Sequence, residues 1–173
     1  KADWPKGSVK QKVGDFFAAG MDEAAIEKAG TKPLEPWLAK IEGVKSNAGL
    51  PKLVAELHAR RLMAGYGFYV GQDQKETTRY IPMLGQGGLG LPDRDYYVKD
   101  DAKSKEIREK YVAHVAKMLE LLGEPADAAK ASAAVVMDLE TKLAKASRAR
   151  VEMRDPEKNY NKRTVDQLVE GAP

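Results

Sequence analysis

Gln86-Gly-Gly-Leu-Gly-Leu-Pro-Asp-Arg-Asp-Tyr-Tyr97 is the stretch on which the reading of this chain turns. With Gly85 before it, the run holds glycine at 85, 87, 88 and 90, which frees the backbone for positive φ or close approach, and Pro92-Asp93 suits a turn. It reads as a loop from 85 to 95 joining two subregions. It lacks the Gly-Lys-Ser/Thr ending of a phosphate loop and runs into a proline turn, not a helix start. Asp93-Arg94-Asp95-Tyr96-Tyr97 has the ingredients of an acid/base site. The preferred reading is a turn stitched by an Arg94–Asp95 pair and anchored by both tyrosines.

Upstream, Tyr66-Gly-Phe68-Tyr-Val70 and Tyr80-Ile-Pro82-Met-Leu84 flank a polar stretch and predict a β-hairpin, with Pro82 at an edge because it cannot donate to a ladder. Further back come four short helices. Ser8 and Gln11 form a capping box ahead of Val9, Val13, Phe16 and Phe17, and Asp22 caps a helix ending at Gly30. Pro36 suits the first turn of a helix carrying Trp37, Ile41 and Val44, and Pro51 opens one that runs to Gly65. Downstream, Ile107, Tyr111, His114, Val115, Met118, Leu119 and Leu122 define a long amphipathic helix ending at Gly123. Pro125 starts another to about Arg148, with Ala128, Ala131, Val135, Leu139, Leu143 and Ala146 in one stripe, and the short connection favours an antiparallel pair. Arg154-Asp-Pro156 breaks regular structure before a terminal helix from about Thr164. The predicted fold class is mainly α, a multi-helix domain with a small β-hairpin and a long antiparallel helix pair, treated as one domain over 1–173.

Composition limits the chemistry. The chain has 43% hydrophobic and 32% charged residues, as a folded globular protein does. Its 29 basic and 26 acidic residues are interspersed, so the net charge of +3 gives no concentrated cationic face and no nucleic-acid partner is expected. Arg148, Arg150 and Arg154 form a cationic patch or, more commonly, a solvated helix end. No run approaches the roughly 18 apolar residues of a membrane span, and Lys1 to Gly7 has no apolar signal core, so no membrane contact is expected of this segment and any targeting segment is absent or removed. There is no cysteine, and the two histidines, His58 and His114, stand in no His-Glu-x-x-His arrangement, so no metal ligand and no catalytic residue is assigned. His114 is expected to be packed, and His58 exposed or bound to local backbone.

The run from Gly88 through Leu89, Gly90, Leu91, Pro92, Arg94, Asp95, Tyr96 and Tyr97 closely resembles the Leu-Gly-Leu-Pro-x-Arg-Asp-Tyr-Tyr signature of the neprilysin and endothelin-converting-enzyme family of zinc metallopeptidases. Gly14-Asp-Phe-Phe-Ala-Ala-Gly-Met-Asp22, Asp73 with Arg79-Tyr80, and Arg154, Asp155 and Pro156 with Tyr160 and Asn161 fall in the family's order. These residues are expected to shape the fold. The resemblance implies the early part of a helical, non-catalytic lobe that closes over a cavity in a bacterial, periplasmic, secreted or envelope-associated peptidase. The zinc helix, the later glutamate ligand and the Asn-Ala-Tyr strand would lie beyond Pro173, and an arginine for the substrate carboxylate before Lys1. Zinc would thus belong to the parent protein, with no cofactor in this chain.

The partners so implied are the remaining catalytic portion of the same polypeptide and peptide substrates. The chain would contribute to substrate selection and be inactive alone. Alternatives are a stand-alone helical peptide-binding or scaffold module without protease activity, and a regulatory partner of a separate catalytic chain. A lobe that continues elsewhere should leave apolar helix faces uncovered.

Overall fold

Side-chain caps fix the early helices. In the computed structural model, which describes residues 4–171, Ser8 Oγ accepts the Gln11 N–H at 3.2 Å and opens α1 (Val9–Gly20), while Gln11 Oε1 reaches back to the Gly7 N–H. Lys1 to Asp3 of the charged N-terminal segment lie outside the described residues. Asp22 Oδ1 accepts the Ala25 N–H at 3.0 Å ahead of α2 (Glu23–Ala29), and Gly30 closes that helix at φ 53°. Pro36 sits in the first turn of α3 (Glu35–Glu42). Contacts divide the chain at Leu53 into two compact units, where the sequence suggested one domain. The first has no buried apolar side chain among its described residues: Phe16 and Phe17 are 84% and 66% exposed.

The helix α4 (Leu50–Ala59) stops six residues short of Gly65. Arg61 takes φ 63°, and the bonds from Leu62 N–H to Leu57 O and from Arg61 N–H to His58 O close the end as a glycine usually would. His58 is half-buried, its Nε2 3.0 Å from Ala64 O and its ring edge-on to Tyr66, in keeping with the local-backbone expectation. The predicted hairpin forms, each strand two residues longer than expected: β1 (Tyr66–Gln72) pairs antiparallel with β2 (Tyr80–Gln86), Val70 opposite Pro82.

Beyond a loop and the short α5 (Asp95–Val98), Asp101 caps α6 (Ala102–Leu121), and Gly123 at φ 100° turns the chain into α7 (Ala126–Ala146), which packs against α6. Pro125 stands just before α7, outside its first turn, and makes no side-chain capping bond. The expected stripe on α7 is displaced by one position. Ala129, Ala133 and Ala144 are the buried residues, whereas Val135 and Leu139 are 68% and 57% exposed. Alanines let the two helices approach closely, and the larger side chains point elsewhere. His114, expected to be packed, is exposed. The Arg154-Asp-Pro156 segment, expected to be irregular, holds a 3-10 turn (Glu152–Arg154) and the short α8 (Pro156–Asn159), because Asp155 caps it and Pro156 fits its first turn. Thr164 and Gln167 exchange capping bonds at the start of α9 (Val165–Gly171).

A globular monomer of this mass exposes about 8,400 Å², and its two units folded separately would expose roughly 10,000 Å². The chain exposes 13,812 Å². Apolar helix faces are left uncovered, as expected, at Phe16, Val135 and Leu139 among others. Among the described residues no helix is long and apolar enough to cross a membrane.

Candidate functional site

The glycine-rich segment leaves β2 at Gln86, whose side-chain amide acts like a strand partner toward Arg148. Its Nε2 donates to Arg148 O at 3.1 Å and its Oε1 accepts the Arg148 N–H at 2.9 Å. Gly88 has φ 76°, and a Cβ there would lie 2.7 Å from Gly65 O. Gly90 needs its missing side chain for a different reason: a Cβ would stand 1.9 Å from the Tyr111 hydroxyl.

That hydroxyl belongs to a partly buried polar cluster. Tyr97, on α5 and 5% exposed, accepts the Leu91 N–H at 2.8 Å and donates to Glu140 Oε2 at 2.5 Å. Tyr111, on α6, donates to Glu140 Oε1 at 2.9 Å. One α7 carboxylate therefore receives a phenol from each of two helices, and through Tyr97 the loop backbone joins in. Arg108 ties α6 to the same turn, its Nη1 donating to Tyr96 O at 2.8 Å and Lys99 O at 2.9 Å. The turn is held by Asp93, which accepts the Asp95 N–H at 2.9 Å, more than by the Arg94–Asp95 pair, which spans 3.7 Å while Lys99 approaches Asp95 to 3.0 Å. Leu89 and Leu91 are half-buried and Pro92 exposed.

A second cluster ties the hairpin to the C-terminal segment. Asp73, fully buried, accepts at Oδ1 from Lys75 N–H at 2.9 Å and Tyr160 Oη at 2.9 Å, and at Oδ2 from Lys162 Nζ at 2.7 Å. The Lys162 ammonium, the Lys75 amide and the Tyr160 hydroxyl hold its carboxyl far below the usual range, against the opposing effect of burial. Lys75 also bonds Glu157 at 2.8 Å. Arg154 and Asp155 serve the turn and cap described above, and Asn161 donates to Lys158 O at 3.1 Å. Arg148 is spent on Lys158 O and Asn159 Oδ1, and Arg150 lies 4.0 Å from Asp93. The three arginines thus serve the local fold or solvent.

Signature residues distant in sequence therefore gather into two clusters, and the reading missed their counterparts Glu140, Arg108, Lys162 and Gln86. A charged residue on a helix stripe looks solvent-facing until its partner is known. Chemically, both clusters hold shape. Burial first, then the bond to Glu140, pushes the Tyr97 hydroxyl well above the usual phenol range and Tyr111 up to about 12, so neither exchanges protons near neutrality. Among the described residues no three His, Cys, Asp or Glu side chains gather as a metal requires, so these residues do not fit a zinc site. An open apolar groove of about 840 Å³ runs along α6 and α7 past Val112, Ala116, Met137 and Tyr97.

Two measurements check this geometry. Gly90→Ala should destabilise the fold by about 1–3 kcal/mol in denaturant unfolding, as overpacking does. Gly85→Ala, whose Cβ would meet nothing within 4 Å, should be near neutral. Because the folded pKa values of both tyrosines are raised, their contribution is complete below pH 10 and lost as the pH climbs through about 12 for Tyr111 and higher still for Tyr97. The tyrosinate absorbance that disappears in Tyr111→Phe should titrate near pH 12. Titration near 10 would contradict the cluster.

The family model for Peptidase family M13 matches residues 1–173. The chain is 30% identical to an endothelin-converting enzyme homolog of Locusta migratoria over 97% of its own length and 24% of that protein's. It is likewise 30% identical to endothelin-converting enzyme-like 1 of Mus musculus, over 98% and 23%. Among solved structures it matches the Mycobacterium tuberculosis zinc metalloprotease Zmp1 in complex with inhibitor, with TM-score 0.85 and 36% identity over 95% of this chain and 25% of that one. The open state of Zmp1 matches with TM-score 0.83 and 36% identity over 99% and 26%. The chain thus spans about a quarter of the length of the relatives it matches. With a full-length family match and the same helical fold around the hairpin, the chain belongs to Peptidase family M13, the neprilysin and endothelin-converting-enzyme family, and corresponds to its N-terminal part.

Proposed function

We propose that this chain is part of the helical, non-catalytic lobe of a longer zinc metalloendopeptidase that degrades peptides, with the zinc site and peptide-binding strand in the rest of the polypeptide. The observation that carries this reading is the likeness to a zinc metalloprotease at TM-score 0.85 over 95% of the chain. The uncovered surface of the two units supports it: 13,812 Å² is exposed, and Phe16, Val135 and Leu139 await neighbours. In this role Tyr97, Tyr111 and Glu140 keep the lobe's wall rigid, and a wall of helices around a cavity excludes folded proteins and admits flexible peptides. The absence of cysteine and the likeness to a mycobacterial enzyme favour a bacterial parent working outside the cytoplasm, in the periplasm, the envelope or the medium.

Peptide hydrolysis tests the reading. The reading frame that encodes this segment should continue into a His-Glu-x-x-His motif. The whole protein should cleave an unstructured peptide in a manner abolished by a chelator and restored by zinc, and residues 1–173 alone should show no turnover. Zinc-dependent cleavage by the isolated segment would contradict the assignment of the chemistry elsewhere.

A further inference from the structure

The hairpin carries an asymmetry that its own residues do not explain. The bond from the Asp73 N–H to Arg79 O, at 2.9 Å, sets the alternation of the ladder. Asp73–Arg79 is a hydrogen-bonded pair, so Gly71–Ile81, Tyr69–Met83 and Gly67–Gly85 are bonded as well. Phe68 with Leu84, and Val70 with Pro82, are non-bonded pairs whose backbone groups point away from the partner strand. Pro82 therefore leaves the ladder intact and removes an outward donor from the free edge of β2.

At the end of that strand, Gln86 is clamped on Arg148. One edge is thus blunted by a proline, as natural proteins blunt exposed edges. The other edge is not. Tyr66-Gly-Phe-Tyr-Val-Gly-Gln72 contains no proline, lysine or other charge, and among the described residues the sheet has two strands only. The hairpin face on which these residues lie is also apolar and uncovered: Val70 is 64%, Tyr80 73% and Leu84 55% exposed. The strand is nevertheless held firmly at its tip through Asp73, Tyr160 and Lys162. A rigid, uncharged, unguarded edge is a hazard in a finished protein, and it is unremarkable in a strand that has a neighbour.

We propose that the outer edge of β1, at Phe68 and Val70, receives an extended, uncharged segment of the same polypeptide as a third strand. This rests on the reading above that the chain is part of a longer peptidase, and the fourfold greater length of the relatives supplies the occupant. The lack of charge along β1 matches an apolar strand better than a charged one.

Residue-resolved hydrogen exchange on the whole protein tests it. At low micromolar concentration without peptide, the Phe68 and Val70 amides should exchange on the order of 100-fold more slowly than in an open edge. Val70→Pro, which copies Pro82 across the pair and spares the ladder, should return Phe68 to fast exchange while the inward Tyr69 amide stays protected. Solvent-like exchange at Phe68 and Val70 in the wild-type protein would overturn the inference, and persisting zinc-dependent hydrolysis would then leave the peptidase reading intact. Protection that appears only with dimerisation, or only with added peptide, would assign the edge to a second copy or to substrate and equally overturn it. Absence of chelator-sensitive hydrolysis in a whole protein with a protected edge would instead count against the peptidase reading alone.

Discussion

The Glu140 carboxylate is the point on which the second unit closes. It accepts Tyr97 from α5 and Tyr111 from α6, and Tyr97 in turn holds the Leu91 N–H of the loop. A half-buried carboxylate loses part of its hydration unless each oxygen finds a donor, and here each finds a phenol whose ring also fills space between helices. The constraint propagates to the sequence. Tyr111 reaches its carboxylate by passing directly over Gly90, which is why no side chain fits there. Ala129, Ala133 and Ala144 then allow α7 to come close enough for Glu140 to be shared.

Asp73 plays the same role at the far end of the hairpin. Its two oxygens gather a backbone amide, a phenol and an ammonium, so a residue at the tip of β1 fixes Tyr160 and Lys162, nearly ninety positions later. Neither cluster has the accessible, poised groups of a catalytic site. Both use the fact that a carboxylate withdrawn from water, fully at Asp73 and partly at Glu140, is held best by one arrangement of its donors. On the proposed function, such fixed nodes hold a cavity wall in shape.

Much of this was legible beforehand. The caps at Ser8 and Asp22, the hairpin and the turn at Gly123 follow from local rules, because each depends on residues within a few positions. The family resemblance located the loop and the Tyr160 segment without saying what they touch. Three features were not legible. The helix after Pro51 ended early because Arg61 adopted a conformation that usually needs glycine. The buried face of α7 lay one residue from the large apolar stripe, since small alanines and a partnered glutamate carry weak signals of burial. Val135 and Leu139 form an apolar stripe that stays exposed here, because periodicity marks an apolar face without saying what covers it.

This arrangement depends on Glu140 as the shared acceptor. A double-mutant cycle addresses it most directly: the cost of Tyr97→Phe in denaturant unfolding, measured with Glu140 present and again in a Glu140→Leu background. The account predicts about 1–3 kcal/mol in the first case and a clearly smaller cost in the second, a coupling of about 0.5 kcal/mol or more. Equal costs in the two backgrounds would show that Tyr97 acts independently of Glu140 and would contradict it.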